Sequence, residues 1–77
     1  MRTLIRTKDI VRVRLSEKHA TAYLRVTFTD GMYSEWVAEH YEESMSQREK
    51  LRQLTQAYNE ITEACKTGKE FVEFKID

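Results

Sequence analysis

The chain has no proline, only two glycines (Gly31 and Gly68), one cysteine (Cys65) and no long apolar run. Each scarcity excludes something. Without proline and with little glycine, few sharp turns are specified and a Pro/Gly-rich disordered linker is ruled out. One cysteine forbids an internal disulfide, and the missing staple points to a reducing, cytoplasmic setting. No stretch is long and apolar enough to span a bilayer, so no membrane partner is expected. The first residues, MRTLIRTKDI, lack the apolar core of a signal peptide, so neither a leader nor an anchor is expected. A surplus of one charge is missing too, with 13 basic residues against 13 acidic. A strong nonspecific nucleic-acid binder, whose affinity rests on neutralised phosphates, is thereby disfavoured.

Catalytic signatures are also missing. There is no Gly-rich phosphate loop, no C-x-x-C and no H-E-x-x-H spacing. His19 and His40 are far apart in sequence, one in an expected turn and one before an expected helix. Cys65 falls on an apolar helical stripe, where a cysteine reads as a small buried hydrophobe. A Cys/His nucleophilic pair needs mutual reach and a third orienting group, and nothing in the spacing supplies either. Glu39, Glu42, Glu43, Glu60 and Glu63 fall on expected solvated segments. A domain this small offers little depth for a pocket that shifts their pKa values. The expectation is a nonenzymatic chain with no metal and no cofactor.

What is present is a change of period. The 77 residues, 40% hydrophobic and 34% charged, suffice for one domain with a modest core. Residues 9–15 alternate, with Val11, Val13 and Leu15 expected inward and Arg12 and Arg14 outward. Leu4 and Ile5 either extend this strand or form a separate edge piece. Residues 16–19 read as a turn. Residues 23–29 form a second strand, with Leu24, Val26 and Phe28 inward and Tyr23, Arg25 and Thr27 outward. Asp30-Gly31 between two alternating runs predicts a two-residue type I′ hairpin turn. Residues 32–37 form the third strand, with Met32, Ser34 and Trp36 inward and Tyr33, Glu35 and Val37 outward. A one-residue bulge would reverse such an assignment.

Ser46 with Glu49 is a capping box, and Ser44 with Gln47 a competing cap, before a helix over 44–66. Leu51, Leu54, Tyr58, Ile61 and Cys65 recur at helical spacing, and Ala57 and Ala64 widen the stripe. Gly68 is the expected left-handed stop. Residues 71–76 form a last strand, with Val72, Phe74 and Ile76 facing the helix and Phe71 left as an exposed aromatic. The fold class is α+β, two-layer: a three-stranded antiparallel meander, one long helix and a C-terminal strand (β-β-β-α-β). The helix is expected to cover one face of a four-stranded sheet that the last strand completes. Where the last strand inserts is not specified.

The other sheet face carries the functional expectation. Arg12, Arg14, Tyr23, Arg25, Tyr33 and Glu35 share it. Arginine and tyrosine build interface hot spots, and arginine forks onto carboxylate or phosphate. The bland alternative is a solvated face on which arginine stems cover tyrosine and pair with Glu35. The reading is a small noncatalytic protein-binding domain, an adaptor or steric inhibitor whose partner carries an acidic patch. It suits a bacterial or phage accessory protein. A nucleic-acid-binding regulator using the same face ranks below it, because the strand order and motifs of common RNA-binding modules are missing. Charge is graded along the chain: +4 over residues 1–31 and −4 over the rest. That gradient leaves room for a homodimer or other self-association.

Overall fold

The computed structural model describes residues 2–39 and 45–76, without the side chains of residues 45–47. His40, the acidic connector of Tyr41, Glu42 and Glu43, and Ser44 lie outside the described residues, and so do the Ser46 and Gln47 side chains of the two expected caps. Among the described residues there are five strands and one α-helix: β1 (Arg2–Arg6), a 3₁₀ turn (Thr7–Asp9), β2 (Ile10–Lys18), β3 (Thr21–Phe28), β4 (Tyr33–Glu39), α1 (Met45–Thr67) and β5 (Phe71–Lys75). The class is α+β, with the expected antiparallel meander β2-β3-β4 followed by a long helix and a last strand. The last strand does not join the meander. It pairs antiparallel with β1, the separate edge piece around Leu4 and Ile5, and makes a second, two-stranded sheet.

The reason for two sheets lies in lengths. A helix of 23 residues is about 34 Å long at 1.5 Å per residue, close to the 36 Å longest dimension of the molecule. A seven-residue strand spans only about 23 Å. The chain solves the mismatch by breaking its N-terminal strand at the 3₁₀ turn, so that α1 packs on both sheets. Its buried residues Leu54, Ala57, Ile61 and Ala64 meet Ala22, Leu24, Val26 and Ala38 of the meander and Val72, Phe74 and Ile76 of the C-terminal segment. Trp36 on β4, half-buried, closes the seam between the sheets. Its ring meets Phe74 edge-on, with centroids 5.4 Å apart and planes at 83°. Thr7 ties the corner to β5: its backbone N–H donates to the Glu70 carbonyl at 3.0 Å, and its hydroxyl to the Lys69 carbonyl.

Several side chains fall elsewhere than the alternation predicts. Val11, expected in the core, is 65% exposed. The register shifts between Ile10, opposite Phe28, and Arg12, opposite Thr27. Val11 is the extra residue of that bulge, and Ile10 packs against the core in its place. Met32, also expected inward, is 66% exposed. It closes the β3-β4 loop: its carbonyl accepts from Phe28 N–H at 2.8 Å, and its own N–H donates to Asp30 Oδ1 at 2.9 Å. Cys65 is exposed, not a buried hydrophobe. The helix is rotated so that its alanine side lies against the sheets. This admits Ala57, Ala64 and the amphipathic Gln53 to the buried face, and turns Cys65 out.

The type I′ conformation expected at Asp30-Gly31 is found at the other hairpin turn. A type I′ turn needs positive φ at both central residues. At Asp30-Gly31 only Gly31 has it, at 87°. Gly31 N–H donates to the Phe28 carbonyl at 3.0 Å, so the loop is a turn over residues 28–31 with a left-handed glycine, a three-residue hairpin connection. The paired positive φ values occur instead at His19 (52°) and Ala20 (55°), between the register partners Lys18 and Thr21. Strands β2 and β3 therefore run longer than expected, to a tight two-residue turn. The helix ends as expected at Gly68, φ 76°, with Lys69 N–H donating to the Ala64 carbonyl at 3.0 Å.

Three outcomes follow for stability. Holding alanine in the left-handed region costs about 1 kcal/mol or more. Ala20→Gly, which removes the Cβ, is expected to raise the melting temperature by about 4 °C or more in a circular-dichroism melt. Ile61→Ala, in the buried face of α1, is expected to cost about 2–5 kcal/mol. Cys65→Ser at the exposed position is expected to change stability by less than about 0.5 kcal/mol. Chemical denaturation followed by Trp36 fluorescence separates the two; equal losses would mean that the helix is rotated from the orientation described.

Candidate functional site

The outer face of β2-β3-β4 is built by the period of two. With Leu24, Val26 and Ala38 committed to the core, their neighbours must point away from α1. The register arranges the outward side chains in cross-strand rows: Arg12, Thr27 and Tyr33; Arg14, Arg25 and Glu35; Ser16, Tyr23 and Val37; Lys18, Thr21 and Glu39. All six residues singled out in the sequence, Arg12, Arg14, Tyr23, Arg25, Tyr33 and Glu35, lie on this one face. Lys18 is an addition. It looks like part of a turn in the sequence, but the alternation Arg12, Arg14, Ser16, Lys18 continues unbroken to the end of β2, and that continuity is the signal for it.

The arginines are not equivalent. Arg25 is held by two neighbours. Its Nε donates to Glu35 Oε2 at 2.9 Å, and Nη2 lies 2.8 Å from the same oxygen. The guanidinium carbon sits 4.3 Å from the centroid of the Tyr33 ring, a cation–π contact. Arg14 stands directly opposite Arg25 in the β2-β3 register. Like charges directly opposite destabilise a sheet. Glu35, on the far side of Arg25, neutralises only one of the two. Among the described residues the guanidinium groups of Arg12 and Arg14 make no hydrogen bond or ion pair. The row Arg14-Arg25-Glu35 thus carries one unbalanced positive charge, and Arg12 adds another one row away.

The shape is open. Arg12, Arg14, Lys18, Tyr23, Arg25 and Glu35 contribute to the lining of a shallow depression of about 420 Å³. Tyr33 at its rim is 55% exposed. A depression this open does not desolvate a reacting group, and no nucleophile–base pair faces it. What it offers is a tyrosine-walled surface with guanidinium groups free to fork onto carboxylate or phosphate.

Elsewhere, among the described residues, no group of three His, Cys, Asp or Glu side chains is placed to hold a metal ion. No helix is long and apolar enough to cross a membrane. Arg2 on β1 donates to Glu73 on β5 at 2.8 Å, and this hydrogen bond, with the carboxylate's charge, raises the Arg2 pKa above its ordinary value. That pair staples the two-stranded sheet on the side away from the core. The chain matches no protein-family model, no curated protein and no solved structure.

The Arg25-Tyr33-Glu35 arrangement is measurable. Because Arg25 is half-exposed, its ion pair with Glu35 is expected to contribute under about 1 kcal/mol. A double-mutant cycle on Arg25→Ala and Glu35→Ala at low salt should give a favourable coupling of about 0.3–1 kcal/mol, shrinking as salt is added. Zero coupling at low salt would mean that Arg25 is as free as Arg14.

Proposed function

We propose that this protein is a noncatalytic protein-binding domain, an adaptor or steric inhibitor, and that it binds through the outer face of β2-β3-β4. The reading is carried by one observation: Arg14 and Arg25 stand opposite each other, and the row holds a single carboxylate, Glu35, on the far side of Arg25. An acidic group on a partner completes the row, converting a repulsive pair in the free protein into a neutralised network in the complex. Arg25 is prepaid in ordering cost, being already held on Tyr33 and Glu35, and it shapes the site into which the freer Arg12 and Arg14 reach. Tyr23 and Tyr33 supply stiff apolar area around the charges. The mechanism is occupation of the partner's surface. The exposed single cysteine and the lack of a disulfide suit a reducing, cytoplasmic location.

The test is affinity capture from host lysate with wild type beside Arg12→Ala/Arg14→Ala, with and without nuclease. Both substitutions are at exposed positions, so the melting temperature should stay within a few degrees of wild type. A protein retained by wild type in both arms should bind the double variant at least about tenfold more weakly. Unchanged retention by the variant would remove this face from consideration. Retention confined to the untreated arm, with affinity falling steeply in salt, would assign the face to nucleic acid instead.

A further inference from the structure

We propose that the free edge of β2 in one molecule docks against the open groove between α1 and β5 of a second copy, giving a head-to-tail, salt-sensitive self-association. The inference stands independently of the partner reading. Among the described residues β2 pairs only with β3, and β5 only with β1, so each keeps one edge without strand partners. Unpaired edges invite strand addition, and their side chains decide which addition is allowed. Edge β2 carries Arg12, Arg14 and Lys18 on its outer side and the exposed Val11 at its bulge. Beside β5 lies an open groove of about 580 Å³. Its walls carry Glu60 and Glu63 from α1 and Glu73 from β5, against Lys69 alone, and the half-exposed Phe71 supplies an apolar contact. Glu60 is engaged by Gln56 and Glu73 by Arg2, whereas the Glu63 carboxylate makes no hydrogen bond or ion pair among the described residues.

Charge selects the pairing. Two β2 edges brought together by a two-fold axis would set arginines against arginines, and two α1-β5 grooves would set glutamates against glutamates. Only the unlike combination is attractive. It is heterologous: in a dimer one copy keeps an unused groove and the other an unused edge, so the assembly extends or closes into a ring and does not stop there. The graded charge of the chain, basic in its first half and acidic in its second, thereby becomes a contact between two specific surfaces. Such an assembly covers Arg12 and Arg14 and competes with any other acidic ligand of that face.

The test uses the purified full chain alone, so it is blind to any partner. In sedimentation velocity at low salt, the average mass should climb with concentration past twice the 9.2 kDa monomer. It should return to the monomer near 1 M salt, where the Debye length is about 3 Å. Arg12→Gln/Arg14→Gln and Glu60→Gln/Glu63→Gln, each checked by circular dichroism, should both stay monomeric at every concentration. The first variant retains an intact groove and the second an intact edge. An equimolar mixture of the two should therefore form a one-to-one dimer that grows no further. A wild type that is monomeric at low salt overturns the proposal. So does either variant associating like wild type, or a mixture of two monomeric variants that forms no dimer.

Discussion

The burial of one face of α1 against two separate sheets is the constraint on which the rest of this structure depends. Neither sheet has a second layer of its own, and a two-stranded sheet such as β1-β5 is marginal in water without a cover. The helix provides that cover for both with Leu54, Ala57, Ile61 and Ala64. Two of those four are alanines, so the backbone of α1 approaches the sheets closely. The stabilising area comes instead from Leu24, Val26, Phe74 and Ile76 rising to meet it. With Leu24, Val26, Leu54 and Ile61 as the largest fully buried side chains, the core is small and each member carries a large share of it.

Covering one face of the meander leaves the other face bare, and this ties the core to the surface chemistry. Every residue of β3 that points into the core forces its neighbour outward. Leu24 and Val26 inside mean that Tyr23, Arg25 and Thr27 are outside. The outer face is then an electrostatic surface whose local balance is poor although the chain as a whole is neutral. Glu35 answers Arg25, and nothing among the described residues answers Arg12 or Arg14. A sheet face optimised only for stability would set opposite charges across strands. A face that leaves an arginine pair half-neutralised gives up some stability, and such local conflicts concentrate where a protein meets something else.

Much of the fold was legible in the sequence because period and side-chain type agree over long runs. The alternation from Tyr23 to Phe28 and again from Phe71 to Ile76, and the helical recurrence of Leu51, Leu54, Tyr58 and Ile61, each admit one regular element. The outward set Arg12, Arg14, Tyr23, Arg25, Tyr33 and Glu35 was legible for the same reason. The misplacements occur where periodicity carries no information. Val11 is displaced by a one-residue bulge, which alternation cannot reveal because the residues on both sides of it still alternate. Cys65 and Ala64 are adjacent on the helix, and only the tilt of α1 on its sheets decides which of them is covered. Asp30-Gly31 signalled a turn correctly, but the number of loop residues was set by how the strand ends pair. The unremarkable His19-Ala20 had to accept the left-handed conformation.

The residue pattern alone specifies the local elements, most of the core-facing side chains and the charges left for solvent. These follow from dihedral preference and from the periods at which apolar side chains recur, both properties of a few neighbouring residues. Only the tertiary structure decided that Arg2–Arg6 leaves the first strand to pair with Phe71–Lys75. It alone placed Trp36 across the seam on Phe74, set Arg14 opposite Arg25, and left β2 and β5 each with one edge that has no strand partner among the described residues. Those outcomes depend on strand register and on matching a long helix to short strands, which join residues up to 73 positions apart, as Arg2 and Lys75 are. No local pattern encodes a distance of that kind; it is settled when the whole core closes.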